Sequence, residues 1–187
     1  DELWIVDPVD GTKEFIKRNG EFTVNIALVR QGRVAGGVVL APVLGHAYVG
    51  VVGEGAWRLH VSADVDVDAA WNTRVSLPVN AGKRAFTVVA SRSHMSPETQ
   101  AYVEEAKSVH GEVNLISKGS SLKLCMVAEG TADAYPRFAP TMEWDTAAGQ
   151  AVCEAAGCDV IDQNTGAPMR YNREDLLNAW FLVARSS

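Results

Sequence analysis

Two aspartates, Asp7 and Asp10, stand three positions apart in the segment Asp7-Pro8-Val9-Asp10-Gly11-Thr12, directly behind the apolar run Leu3 to Val6. Their carboxylates and the Val9 carbonyl are hard oxygen donors, which is what a hard divalent cation such as Mg²⁺ takes as ligands. Gly11 and Thr12 lead into Lys13-Glu14-Phe15-Ile16-Lys17, a stretch that can open a helix. Backbone N–H groups at a glycine-containing helix start can approach a phosphate closely. Cation ligands beside an anion cradle suit metal-assisted hydrolysis of a phosphate ester. The same residues also make ordinary turns, which Asp, Pro and Gly fill for reasons unrelated to catalysis. The segment alone supports either reading.

A second acidic segment, Glu143-Trp144-Asp145-Thr146-Ala147-Ala148-Gly149, changes that balance. Asp145 is expected at or near a helix N-terminus, where a carboxylate suits the helix dipole. Standing alone it reads as a simple N-cap. The small residues that follow let the helix end pack close to other backbone. Paired with the first segment, it is far more specific than either half.

The elements that must position these groups can be read in chain order. Pro8 biases Asp7 toward extended geometry, so the first strand is expected to run into Asp7 and end there, leaving both carboxylates on a short loop. Further β-rich runs cover 22–29, 34–40, 46–52 and 56–59, with glycine-containing turns between them. That spacing predicts an antiparallel meander. Asp64, Asp66 and Asp68 lack the glycine and downstream Glu of a calcium loop. A solvated strand edge or loop explains them better.

From Phe86 strands alternate with helices. Phe86–Ala90 reads as a strand and Ser91–His94 as a polar turn. Ser96 caps a helix with Pro97 at its first position, running to about Val109. Val113–Ile116 is a strand, Leu122–Glu129 a helix closed by Gly130, and Ala132–Tyr135 a strand. The helix near Asp145 follows, then strands at 159–161 and 179–184. This alternation predicts a layered α/β lobe. The expected division is an N-terminal lobe over 1–84, carrying the acidic loop, and a C-terminal α/β lobe over 85–187.

Composition excludes several classes. With 23 acidic and 17 basic residues the chain carries no basic stripe suited to a nucleic-acid polymer. No apolar run approaches the roughly 20 residues of a transmembrane helix. Cys125, Cys153 and Cys158 are odd in number and lack CxxC spacing, so neither a disulfide scaffold nor a zinc site is expected, and a reduced cytoplasm fits. The chain opens directly on the strand that bears the chemistry, so a preceding portion is expected.

The paired acidic segments resemble the signatures of the inositol monophosphatase superfamily of Mg²⁺-dependent, lithium-sensitive phosphatases. The run Asp10-Gly11-Thr12-Lys13-Glu14-Phe15-Ile16-Lys17-Arg18-Asn19-Gly20-Glu21-Phe22-Thr23-Val24-Asn25 is similar to the bacterial 3′(2′),5′-bisphosphate nucleotidase branch. Ser91-Arg92-Ser93-His94, Gly119-Ser120-Ser121-Leu122-Lys123 and Tyr135-Pro136-Arg137-Phe138 agree with it, and the likeness extends over the whole chain. The resemblance implies an α/β layered sandwich whose front helices lie outside this sequence. It implies two or three Mg²⁺ ions, held by Asp7, the Val9 carbonyl, Asp10 and Asp145. It further implies phosphate binding by Gly11 and Thr12, with the Thr12 hydroxyl orienting the attacking water. Ser93, His94, Ser120, Ser121, Lys123, Arg137 and Asp145 would contact the substrate. The implied reaction is hydrolysis of 3′-phosphoadenosine 5′-phosphate to AMP and phosphate, as in sulfate assimilation and nucleotide recycling. The implied location is cytoplasmic, including the inner membrane surface. An inositol or sugar phosphate phosphatase, or an inactive fragment that only binds metal or nucleotide, are the alternatives. Family members carry a further Glu ligand in a preceding helix, which this sequence lacks.

Overall fold

The computed structural model describes residues 1–79, 82–90 and 95–186. The first sheet is an uninterrupted antiparallel meander in sequence order. It begins with β1 (Glu2–Asp10), short helix α1 (Thr12–Lys17), β2 (Thr23–Arg30) and β3 (Arg33–Ala41). It continues through β4 (His46–Val51), β5 (Gly55–His60), helix α2 (Val67–Asn72) and β6 (Val75–Ser76). The alternation in β2 is strict: Thr23, Asn25, Ala27 and Val29 are buried, while Ile26 and Arg30 are exposed. That period of two marks a half-buried strand.

Strand membership changes between β6 and β7 (Phe86–Ala90), and the second sheet is mixed. After β7 come α3 (Pro97–His110), β8 (Val113–Ser117), α4 (Leu122–Glu129) and β9 (Ala134–Arg137). Helix α5 (Glu143–Ala155), β10 (Cys158–Asp162), β11 (Ala167–Pro168) and β12 (Phe181–Arg185) complete the chain. β7 pairs in parallel with β8 and β9, while β12 runs antiparallel to β9 and β10.

Helices α4 and α5 lie between the two sheets. One apolar cluster joins Ala27, Val29 and Val39 of the first sheet to Ala147, Ala151 and Val152 of α5 and to Val160, Phe181 and Val183 of the second. The close approach of α5 depends on glycine. A Cβ at Gly37 would sit 2.7 Å from the Ala148 carbonyl oxygen, and one at Gly50 would sit 2.6 Å from the Val152 Cα. These two strand glycines let the sheet seat the helix that carries Asp145 against its backbone. The opposite face of the first sheet leaves Trp4 and Val6 exposed.

Two expectations are corrected. Asp64 and Asp66 lie in an exposed turn and loop, but Asp68 does not: it stands in the first turn of α2, which the Asp66 carboxylate caps by accepting from the Asp68 and Ala69 N–H groups. β1 does not end at Asp7 but pairs through to Asp10, with an irregularity between them.

Candidate active site

The irregularity in β1 decides the site. Asp7 pairs with Asn25 and Asp10 with Thr23, so three steps along β1 match two along β2. In a regular strand, side chains three positions apart point to opposite faces. One extra residue, a β-bulge, returns Asp10 to the face that Asp7 occupies. Pro8 fits there because it has no N–H to leave unpaired. Val9 N–H closes the turn by donating to Asp7 Oδ1 at 2.9 Å. Gly11 then takes φ 84°, a conformation costly to residues with a Cβ, and starts α1.

Asp145 arrives from the other side, in the first turn of α5. It is not the N-cap: its Oδ2 reaches back to accept from Met142 N–H at 2.8 Å. The helix start is anchored by buried Glu143, whose carboxylate accepts from the backbone N–H groups of Asn172 and Arg173 and from the Arg173 guanidinium. Asn178 adds donors to the Met142 carbonyl and the Thr146 hydroxyl.

Asp7, Asp10 and Asp145 therefore converge, each offering one oxygen within 4.8 Å of the others. Asp10 Oδ2 accepts from Ser121 N–H at 2.7 Å, Ser121 Oγ at 2.8 Å, Thr23 Oγ1 at 3.1 Å and Asn25 Nδ2 at 3.3 Å. Each carboxylate thus commits one oxygen to a protein donor. Among the described residues no donor is assigned to the other three: Asp7 Oδ2, Asp10 Oδ1 and Asp145 Oδ1. Burial pushes the Asp145 carboxyl up to about 6, and the neighbouring Asp10 and Asp7 carboxylates push it the same way. Asp7 is raised as well, first by burial and then by Asp10, against the Val9 N–H. A carboxylate group reluctant to ionise beside two others is a site short of positive charge.

A cleft of about 150 Å³ opens beside the cluster, lined by Asp10, Gly11, Lys118, Ser120, Lys123, Arg137 and Asp145 among others. Lys123 is buried; its Nζ donates to the Ser120 carbonyl at 2.6 Å and lies 5.5 Å from the Tyr135 ring centre. Burial lowers its pKa to about 8. Arg137 donates to the Pro140 carbonyl, while its buried Nε has no partner among the described residues. Ser120 takes φ 42° and donates its hydroxyl to the Glu21 carbonyl at 2.6 Å.

The structure brings Asp7, Asp10 and Asp145 together, and Asp10, Gly11, Ser120, Lys123, Arg137 and Asp145 line the cleft; Val9 adjoins the cluster through its N–H to Asp7. Thr12 sits exposed at the first turn of α1. Ser121 is only 1% exposed and faces Asp10. Ser93 and His94 lie outside the described residues. Thr23 and Asn25 carried no assigned role in the sequence. Their signal was there: both are polar residues on the buried phase of an otherwise apolar alternation.

Residues 1–186 match the Inositol monophosphatase family. The chain belongs to that family. Its structure superposes on the crystal structure of CysQ from Bacteroides thetaiotaomicron, described as a bacterial member of the family, with TM-score 0.93 and 51% identity. That superposition covers 100% of this chain and 71% of the other. The sequence is 47% identical over 182 residues to the 3′(2′),5′-bisphosphate nucleotidase CysQ of Escherichia coli K12, spanning 97% of this chain and 67% of that protein. Inositol monophosphatase-II from Staphylococcus aureus MSSA476 shares the fold, with TM-score 0.71 and 22% identity over 98% of this chain and 62% of that one. The layered α/β architecture expected from the sequence is the family's. Family enzymes depend on metal, and the acidic cluster is this chain's candidate for holding it. No helix among the described residues is long and apolar enough to cross a membrane.

Proposed function

We propose that the chain carries the site of a Mg²⁺-dependent phosphatase that removes the 3′-phosphate of 3′-phosphoadenosine 5′-phosphate, yielding AMP and phosphate. The observation that carries this reading is the convergence of Asp7, Asp10 and Asp145, each with one oxygen held by the protein and one left over. All-oxygen donors of net negative charge suit Mg²⁺. Two or three ions would be held by these carboxylates and the Val9 carbonyl. When bound there, the ions supply Lewis acidity that lowers the pKa of water and offsets charge on the leaving oxygen.

The chain's own residues do the rest. Gly11 and Thr12 offer backbone N–H groups to a phosphate at the start of α1, and the Thr12 hydroxyl helps to orient water. Lys123 and Arg137 bring cationic groups to the cleft lining, beyond what one phosphate at the carboxylates needs. A bisphosphate nucleotide has a second phosphate for them. Ser120, with Ser93 and His94, would complete the substrate pocket. The N-terminal lobe over 1–84 supplies the cation loop and the lobe over 85–187 supplies Asp145 and the cationic lining. The identity to nucleotidases named CysQ supports the same substrate class. Sulfate assimilation, a cytoplasmic setting and inhibition by Li⁺, which can compete for a Mg²⁺ position, accompany this reading.

The test is phosphate release from 3′-phosphoadenosine 5′-phosphate and from inositol 1-phosphate, each with Mg²⁺, using the full-length gene product. The expected result is a much higher kcat/KM for the nucleotide. Preference for inositol 1-phosphate would move the chain to the other branch, and release from neither would leave an inactive binding fragment.

A further inference from the structure

Ser121 has a place that neither substrate contact nor simple packing explains. Its side chain is 1% exposed and is absent from the cleft wall, so a ligand in the cleft cannot touch it. Its N–H donates to Asp10 Oδ2 at 2.7 Å, and its Oγ lies 2.8 Å from that same oxygen. The same Oγ lies 2.8 Å from the Asp145 carbonyl oxygen and accepts from Asn25 Nδ2 at 2.9 Å. A hydroxyl has a single proton. With Asn25 donating to it, Ser121 can give that proton to Asp10 or to the Asp145 backbone, but not to both. One small side chain therefore sits against β1, β2 and α5 while standing at the head of α4.

We propose that Ser121 is a positioning residue of the cation site. It fixes the Asp10 carboxylate with Oδ2 inward and Oδ1 outward, and it sets the spacing between Asp10 and the backbone that carries Asp145. The inference rests on the reading of Asp10 and Asp145 as cation ligands and deepens it. Partners that orient a ligand typically change metal affinity by roughly 10–100-fold when removed. Asn25 supports Ser121 and Asp10 together and belongs to the same device. Its Nδ2 also lies 3.4 Å from the Trp144 carbonyl oxygen, one residue before Asp145.

The experiment is calorimetric titration of metal-free protein with Mg²⁺ alone, on the parent, Asp10→Asn, Ser121→Ala and Ser121→Cys. Metal-free melting and the nucleotide KM at saturating Mg²⁺ are measured alongside. The expected result is a Mg²⁺ dissociation constant raised roughly 10–100-fold in Ser121→Ala, with melting and KM close to the parent. Ser121→Cys, of similar size and with a weak S–H donor, should fall between the two. Unchanged Mg²⁺ affinity with a raised KM overturns the proposal in favour of substrate contact. Matching losses of melting and affinity in both variants overturn it in favour of packing. If the parent binds no Mg²⁺, or Asp10→Asn binds like the parent, the reading of the cluster itself has failed, a result distinct from failure at Ser121 alone.

Discussion

At the carboxylate cluster three negative groups face one another, and among the described residues each has donors at one oxygen only. In the adjoining cleft three cations are at least partly engaged: Lys118 with Glu21, Lys123 with the Ser120 carbonyl, Arg137 with the Pro140 carbonyl. The cluster is incomplete without an added positive charge, whereas the cleft already holds cations of its own, with a donor to spare at the Arg137 Nε. The difference follows from how the two are built. The cluster rests on one bulge and one helix start, each held by hydrogen bonds to its aspartates. The cleft draws on α1, the turn before α4, β9 and the turn that follows it. Damage to the cluster should therefore be close to all-or-none, and damage to the cleft graded by substrate.

The largest effect should come from Asp10→Asn or Asp145→Asn, each of which replaces an anionic oxygen with an amide. Turnover with Mg²⁺ is expected to fall by more than the roughly 100-fold upper range for supporting residues. The fold should survive, as judged by circular dichroism. A rate within a few-fold of the parent would erase the distinction between the two regions.

Lys123→Ala addresses the cleft. The expected loss is about 1.5–3 kcal/mol in kcat/KM for the bisphosphate nucleotide, the range for a hydrogen bond to a charged group. A small monophosphate that reaches only the carboxylates should lose almost nothing. Equal losses on both substrates would instead make Lys123 a support for the cluster, through its bond to the Ser120 carbonyl.

Gly11→Ala tests the hinge between the two regions. At φ 84° a side chain is strained, and the new Cβ would lie 3.0 Å from the Ser120 Cβ. A stability loss of about 1–2 kcal/mol is expected from the left-handed backbone, read by denaturant titration. No loss would mean that the turn relaxes freely.

The smallest effect is on stability against pH, because Asp145 is only partly buried. Its carboxyl titrates near 6 in the folded chain, against an ordinary Asp value of about 3.9 when unfolded. Between these values the folded state binds more protons, so metal-free stability falls as pH rises from about 4 to about 6. Asp145→Asn should remove that part of the slope in melting temperature. An unchanged slope would mean that the cluster carries no such charge strain.

The cluster was legible in the sequence because Asp7 and Asp10 are near-contiguous and all three aspartates are chemically unambiguous. Asp7, Asp10 and Asp145 needed only two segments. What spacing alone could not show is that Asp7 and Asp10 share a face, since three strand positions place them on opposite faces and only the bulge reverses this. The helix at Val67–Asn72 was hidden because a six-residue helix with Val67 exposed and only Ala70 buried has no apolar stripe to read. Leu122–Glu129 was legible to its ends, since Gly130 closes it in the left-handed conformation. Ser121 was misleading for a different reason. Its place in a Gly-Ser-Ser turn suggests a ligand contact, whereas its burial, with Oγ 2.8 Å from both Asp10 Oδ2 and the Asp145 carbonyl oxygen, suits support of the cluster.

The most direct measurement is a crystal structure with Mn²⁺ in place of Mg²⁺, located by anomalous scattering. Density is expected for at least one ion among the three carboxylates, contacted by Asp7 Oδ2, Asp10 Oδ1 and Asp145 Oδ1, with Ser121 still on Asp10 Oδ2. Ions found only elsewhere, or an ion bound through the oxygens that the protein already holds, would contradict it.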